Sequence, residues 1–193
     1  MSDTADTPKE VFQRKCSIII SLIASMLLIN NLGSQNAGSS AAFLNASAIN
    51  TYAFYQAKTI RQNDLNISAF TLDAMVDVAG KGIDEATKKN IREQAEKFRA
   101  KATSYDSDPE TGEGKKELLA KSKQAEQARD AALEKGPYFD FAGLLLQLAI
   151  ILISVVLITE RRTLYLTGLS AAIIGTLLSL DGFFLFVRLP FLS

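Results

Sequence analysis

Four strongly polar side chains lie inside or at the edge of otherwise apolar runs, and they are the best candidates for chemistry in this sequence. Asn30 and Asn31 close the first run (16–32), Gln147 lies in the second (141–159) and Asp181 in the third (164–187). A carboxylate and amides in apolar surroundings suit a buried hydrogen-bond cluster, or the handling of a cation or proton. We take the hydrogen-bond cluster as the expectation and the ion site as its rival. Catalysis finds no companions here. The chain has no histidine, which removes the commonest general base and transition-metal ligand. Cys16 is the one cysteine, so an intrachain disulfide and a thiolate cluster are excluded, and it reads as a small apolar residue at the membrane edge. Neither a glycine-rich phosphate loop nor GxSxG occurs. The expectation is a protein without catalytic residues, cofactor or metal.

The elements that position these residues follow from length. Each run approaches or exceeds the ~17–25 apolar residues an α-helix needs to cross a bilayer core. Residues 16–32, 139–159 and 164–187 are therefore expected to be transmembrane helices, with 33–138 far too polar to enter lipid. A secretory signal would also fit the first run, since Lys9, Arg14 and Lys15 precede it. A retained anchor fits better, because the run continues into helical sequence (37–57) and not into a loop. In the third run Gly168, Ala172, Gly175, Ser179 and Gly182 recur at four, three, four and three residues. That small-residue groove permits close helix approach in lipid.

Between the first and second spans, charge is balanced overall and locally, so no basic footprint for nucleic acid stands out. Ala42, Ala46, Ile49, Ala53, Ala57 and Ile60 fall at intervals of four, three, four, four and three, one narrow face of a helix. Gly80 and Gly82 stop that helix, and Ile91, Ala95, Phe98, Ala102 and Tyr105 mark a second. Pro109, Gly112 and Gly114 interrupt it before periodicity resumes at Leu118, Ala125, Ala128 and Ala132. The fold class expected is all-α: three transmembrane helices with a long antiparallel, coiled-coil-like hairpin outside the membrane. The alanine-rich stripe is expected to be the hairpin seam. Such seams bury little apolar area, so neighbouring hairpins are expected to pack together. Tyr52 and Tyr55 read as packing near the membrane surface in preference to partner-binding aromatics.

Several stretches resemble a bacterial family, domain of unknown function 4337: NTYAFYQAKTIR (50–61), SDPETGEGKKEL (107–118), PYFDFAGLLLQLAIILISVVLIT (137–159) and LDGFFL (180–185). The resemblance implies a bacterial membrane protein and contributes no chemistry. It also implies Asn in many relatives where this chain has Asp181, which argues against an obligatory carboxylate there.

Positive charge in short flanks sets orientation. Arg14 and Lys15 border the first span, and Arg161 and Arg162 sit between the second and third; Arg188 is the one dissenter. The expected organisation is a cytoplasmic segment (1–15), a first span, a periplasmic hairpin (33–138), a second span, a cytoplasmic turn (160–163), a third span and a tail (188–193), all in the inner membrane. The function expected is a homo-oligomeric scaffold or assembly protein in contact with membrane lipid. The rivals are a pore lined by Asp181, Gln147 and Asn30, and an accessory subunit bound to other membrane proteins. On this topology Ser107→Cys should react with an impermeant thiol reagent applied outside the cell, while Thr163→Cys should not. The reverse labelling pattern would overturn the charge-based orientation.

Overall fold

From Lys9 to Ala79 the sequence contains no proline, and one helix occupies the whole stretch. In a computed structural model of the chain, which describes residues 7–187, α1 runs unbroken over Pro8–Ala79. It ends where Gly80 takes a left-handed conformation (φ 51°), and a 3-10 turn, Gly80–Gly82, follows. Asp84 then caps α2 (Glu85–Ser104), its carboxylate accepting the Thr87 amide at 2.8 Å. Helix α3 spans Lys115–Leu133, α4 Gly136–Thr159 with Pro137 in its first turn, and α5 Arg162–Phe184. Among the described residues there is no strand. The N-terminal part of α1, together with α4 and α5, supplies three helical stretches long and apolar enough to cross a membrane. Arg188 and the expected tail 188–193 lie outside the described residues, as do residues 1–6 of the expected N-terminal segment.

The chain forms two compact units. Phe43–Ala128 makes one, and the segments before and after it make the other. The divisions therefore fall further from the membrane runs than the expected limits of 33 and 138. Gly33, Ala37 and Ala41 are still buried on one side of the middle segment and Tyr138 on the other, so the unit holding the spans extends past the apolar sequence.

Within unit Phe43–Ala128, α1 buries a face that repeats every seven residues. Ala48, Ala69 and Val76 are buried, with Tyr55 and Gln62 half-buried between them in the same row. Thr51, Lys58, Leu65 and Leu72 form a second half-buried row three residues further on. Against these rows come Ala95 and Ala102 of α2 and Leu118 and Ser122 of α3, all buried. Asp73 pairs with Arg99, Gln62 reaches Ala102, and Ser122 Oγ donates to the Ala48 carbonyl at 3.2 Å. The expected seam is corrected by this arrangement. Ala46, Ile49, Ala53 and Ile60 are exposed, as is Ala42 before the unit begins, and only Ala57 is half-buried. The physical reason is polar satisfaction. Tyr55, Lys58 and Gln62 have specific partners on the returning segment, and these fix which face of α1 turns inward.

In the unit holding the spans, α5 lies on α4 through its small residues, with Gly168, Ala172, Gly175, Ser179 and Gly182 all buried. A Cβ added to Gly168 would stand 2.8 Å from Ile153 Cγ1, and one added to Gly175 would stand 3.2 Å from the Ala142 carbonyl oxygen. The backbones approach too closely for larger side chains. Cys16 and Ile23 of α1 join Leu146, Ala149, Ile153, Val156, Ala171 and Ala172 in one core. Lys9 pairs with Glu160 at 2.7 Å and Phe12 packs on Tyr165, which places the start of α1 beside the α4–α5 turn. Hydroxyls along the spans bond carbonyls of their own helix: Ser17, Ser21 and Ser25 do so at 3.0 Å, and Ser154 and Thr176 likewise. Each such group is satisfied without water. Gly175→Leu should force α4 and α5 apart at a cost of about 1–3 kcal/mol, read as a lower unfolding temperature in mild detergent. Leu177→Ile, on the exposed side of α5, should leave that temperature unchanged. Equal stability of the two variants would show that the groove is not a packing surface.

Candidate functional site

Three of the four polar residues singled out in the sequence meet at one cavity. Asn30 and Asn31 come from α1 together with Ser34, at helical spacings of one and four. Phe139, Asp140, Gly143, Leu144 and Gln147 come from one face of α4, and the space between the two helices is about 290 Å³. Asn30 is 1% exposed and its Nδ2 donates to the Phe139 carbonyl at 2.9 Å. Gly143 allows that approach, since a Cβ there would stand 3.2 Å from Asn30 Nδ2. The other side of the same amide is unmet. Asn30 Oδ1 is buried and has no hydrogen-bond partner among the described residues, a deficit that ordinarily costs about 1–3 kcal/mol. Asn31, Asp140 and Gln147 are exposed at the cavity's rim. Ser34 and Asp140 were not singled out from the sequence. The signal available was the spacing of Ser34 one turn from Asn30, and of Asp140 two turns from Gln147 along one helix face.

Asp181 is elsewhere. Its carboxylate accepts the Val187 amide at 3.0 Å, and its carbonyl accepts the amide of Leu185, which is left-handed (φ 50°) and ends α5. Helix α5 therefore stops at Phe184, three residues short of the expected end of the third span. Lys135 Nζ donates to the Phe183 carbonyl, one of the groups a helix end leaves open, and Tyr138 Oη donates to the Val187 carbonyl of the turn that follows. Within this chain Asp181 is a turn-forming residue, and neither Gln147 nor the asparagines contact it through a hydrogen bond. Among the described residues no cluster of His, Cys, Asp and Glu is arranged to hold a metal.

The model of one protein family, described as a domain of unknown function (DUF4337), matches residues 12–185. The chain belongs to this family. No curated protein and no solved structure matches it.

Two stretches that carried the resemblance to DUF4337, 50–61 and 107–118, meet in the unit Phe43–Ala128. Lys58 of the first approaches Glu113 of the second at 3.8 Å and lies 5.8 Å from the centre of the Tyr105 ring. Lys115 lies 5.7 Å from the centre of the Tyr55 ring and donates to Gln62 Oε1 at 2.7 Å. Gln62 Nε2 in turn donates to the Ala102 carbonyl and to Asp106 Oδ1. The loop between α2 and α3 is closed by its own backbone: the Lys115 and Lys116 amides bond the Tyr105 and Asp106 carbonyls at 2.9 and 3.0 Å. Gly112 is left-handed (φ 67°), and a Cβ on Gly114 would collide with the Asp108 amide. What the sequence shows as a helix break is therefore an ordered polar clasp onto α1. Tyr55, read from the sequence as packing near the membrane surface, packs here against Lys115.

The hydrogen bonds of the clasp set the direction of its expected response to pH. The hydroxyl and amide of Thr111 hold the Asp108 carboxyl below its usual range, and the Ser107 hydroxyl and Asp108 amide do the same for Glu117. A carboxyl depressed in the folded state contributes stability above its unfolded value, and loses it as pH falls through the depressed one. Amide protection of Asp108 and Thr111 should be constant near neutrality and decline below about pH 4. Glu117→Gln should weaken the Asp108 amide already at neutral pH. Protection that persists undiminished through strong acid would refute this account of the loop.

Proposed function

We propose that this member of the DUF4337 family is a non-enzymatic, homo-oligomeric membrane assembly protein. In this reading its extramembrane helices form an antiparallel, coiled-coil-like hairpin that associates with hairpins of neighbouring copies. The observation that carries the proposal is the apolar stripe left open on α1. Ile49, Ile60, Ile67 and Phe70 are 60%, 61%, 63% and 72% exposed, with Ala46 and Ala53 on the same face. That face lies opposite the rows filled by α2 and α3. Burying one such large side chain contributes about 1.5–3 kcal/mol, so a repeated stripe of them is a strong site for another helix. The pairing order within the unit supports the antiparallel hairpin: Asp73 meets Arg99, Gln62 meets Ala102 and Lys115, and Ala48 meets Ser122.

The location follows the charge-based orientation, with the hairpin in the periplasm and the turn at Arg161 and Arg162 in the cytoplasm of a bacterial inner membrane. The contact of Lys9 with Glu160 supports placing both positive flanks at one membrane face. A pore lined jointly by Asp181, Gln147 and Asn30 is the weaker reading, because Asp181 is engaged by the Val187 amide away from the other two. Mass measurement in lipid nanodiscs tests the proposal. Wild type should be a defined multimer, and Ala53→Glu with Ile60→Glu should shift it to single chains while helix content stays unchanged. Ala69→Glu, on the buried face, should instead lose helix content, because an unpaired carboxylate there costs several kcal/mol. A single-chain mass for wild type in lipid would overturn the proposal.

A further inference from the structure

The cavity between α1 and α4 is lined by hydrogen-bond acceptors of both helices. Its floor is Asn30, whose buried Oδ1 lacks a partner because Nδ2 is committed to the Phe139 carbonyl. Its rim carries the Asp140 carboxylate, with the amides of Asn31 and Gln147 and the Ser34 hydroxyl close by. Among the described residues no lysine or arginine lines this space and Asp140 forms no ion pair. One carboxylate, with the amide and hydroxyl oxygens of Asn31, Gln147 and Ser34 beside it, makes a site for a cation that donates several hydrogen bonds. A volume of about 290 Å³ is generous for a bare ion and suits a small organic head.

Position in the chain selects the kind of head. Asn30 and Asn31 close the first apolar run and Asp140 opens the second, so whichever face of the membrane this is, the cavity lies where hydrocarbon gives way to headgroups. Leu144, which lines the cavity, is 62% exposed, and Leu148 one turn deeper is 46% exposed. These offer an apolar surface for an acyl chain beside a polar pocket for its head. We propose that this cavity binds a primary ammonium group, with the ethanolamine head of a phospholipid as the favoured source and a free small amine as the other. The ammonium N–H groups would meet the Asp140 carboxylate, with the exposed side-chain oxygens of Gln147 and Asn31 completing the shell. A quaternary ammonium carries the same charge but no N–H donor, so the site should discriminate by hydrogen bonding and not by charge alone.

The test uses the full chain reconstituted in vesicles of equal parts phosphatidylethanolamine, phosphatidylcholine and phosphatidylglycerol, then extracted gently for native mass spectrometry. Phosphatidylethanolamine should be retained over phosphatidylcholine by roughly tenfold, the scale set by losing charge-assisted hydrogen bonds. Asp140→Asn should bring that ratio to within about twofold, and Gln147→Leu should lower it as well, so that misfolding of one variant does not decide the matter. A parallel calorimetric titration of delipidated protein uses ethanolamine with choline as its control. Ethanolamine binding without a lipid preference assigns the site to free amines and upholds the ammonium chemistry. Equal retention of the two lipids together with no ethanolamine binding overturns the proposal, as does a full preference that survives in both variants.

Discussion

Phe139 is the contact on which the membrane unit depends. Its ring is buried, lies edge-on to Phe183 with centroids 5.0 Å apart, and presses on two glycines from different helices. A Cβ on Gly33 would stand 2.6 Å from that ring and one on Gly182 would stand 3.0 Å from it. The backbone carbonyl of the same residue accepts Asn30. One aromatic residue at the start of α4 thus fixes the approach of α1 and α5 together. Because lipid offers no hydrophobic drive between helices, such interlocking of large on small is the main packing force available. The floor of the cavity depends on it: the Asn30 bond to the Phe139 carbonyl holds the asparagine between α1 and α4, its nitrogen paired and its oxygen buried.

The ends of the spans show the same economy with polar groups. A helix that stops near the membrane leaves carbonyls without partners. At the end of α5, Lys135 and Tyr138 from the preceding helix supply donors, while the Asp181 carboxylate receives a returning amide. A carboxylate in an apolar run is thus accounted for by local backbone needs. An amide at that position could also accept the returning N–H through its oxygen, so the turn does not depend on the charge of Asp181.

Much of the architecture was legible in the sequence because it rests on strong, local signals. Run length marked the three apolar helices, and Gly80, Pro109, Gly112, Gly114 and Pro137 marked the interruptions. The spacing of Ile91, Ala95, Phe98, Ala102 and Tyr105 named the inward face of α2, where Ala95 and Ala102 are buried. The inward face of α1 was not legible by the same rule. Apolar periodicity points to Ala46, Ile49, Ala53 and Ile60, yet the chain turns inward the two rows that contain Tyr55, Lys58 and Gln62. Partners for those side chains come from Lys115, Glu113 and Tyr105, more than forty residues away, and no local pattern encodes that meeting. The polar cavity was half legible: three of its residues stood out against apolar sequence, whereas Asp140 and Ser34 sit at the polar edge of their runs and gave no contrast.

Helix α1 consequently has two working faces of opposite character, and this explains why a polar seam is tolerable. A seam of Ala, Thr, Lys and Gln buries little apolar area, so it gains specificity more than stability. Gln62 can satisfy both its oxygen and its nitrogen only when Lys115, Ala102 and Asp106 are all in place, which fixes the register of the returning chain. The apolar face has the reverse property. Ile49, Ile60 and Ile67 would gain from almost any apolar partner and specify little by themselves. A chain that first sets its register through polar contacts presents that apolar face in one defined arrangement. In the proposed assembly, the clasp between α1 and the 105–115 loop would therefore close before copies of the chain recognise one another.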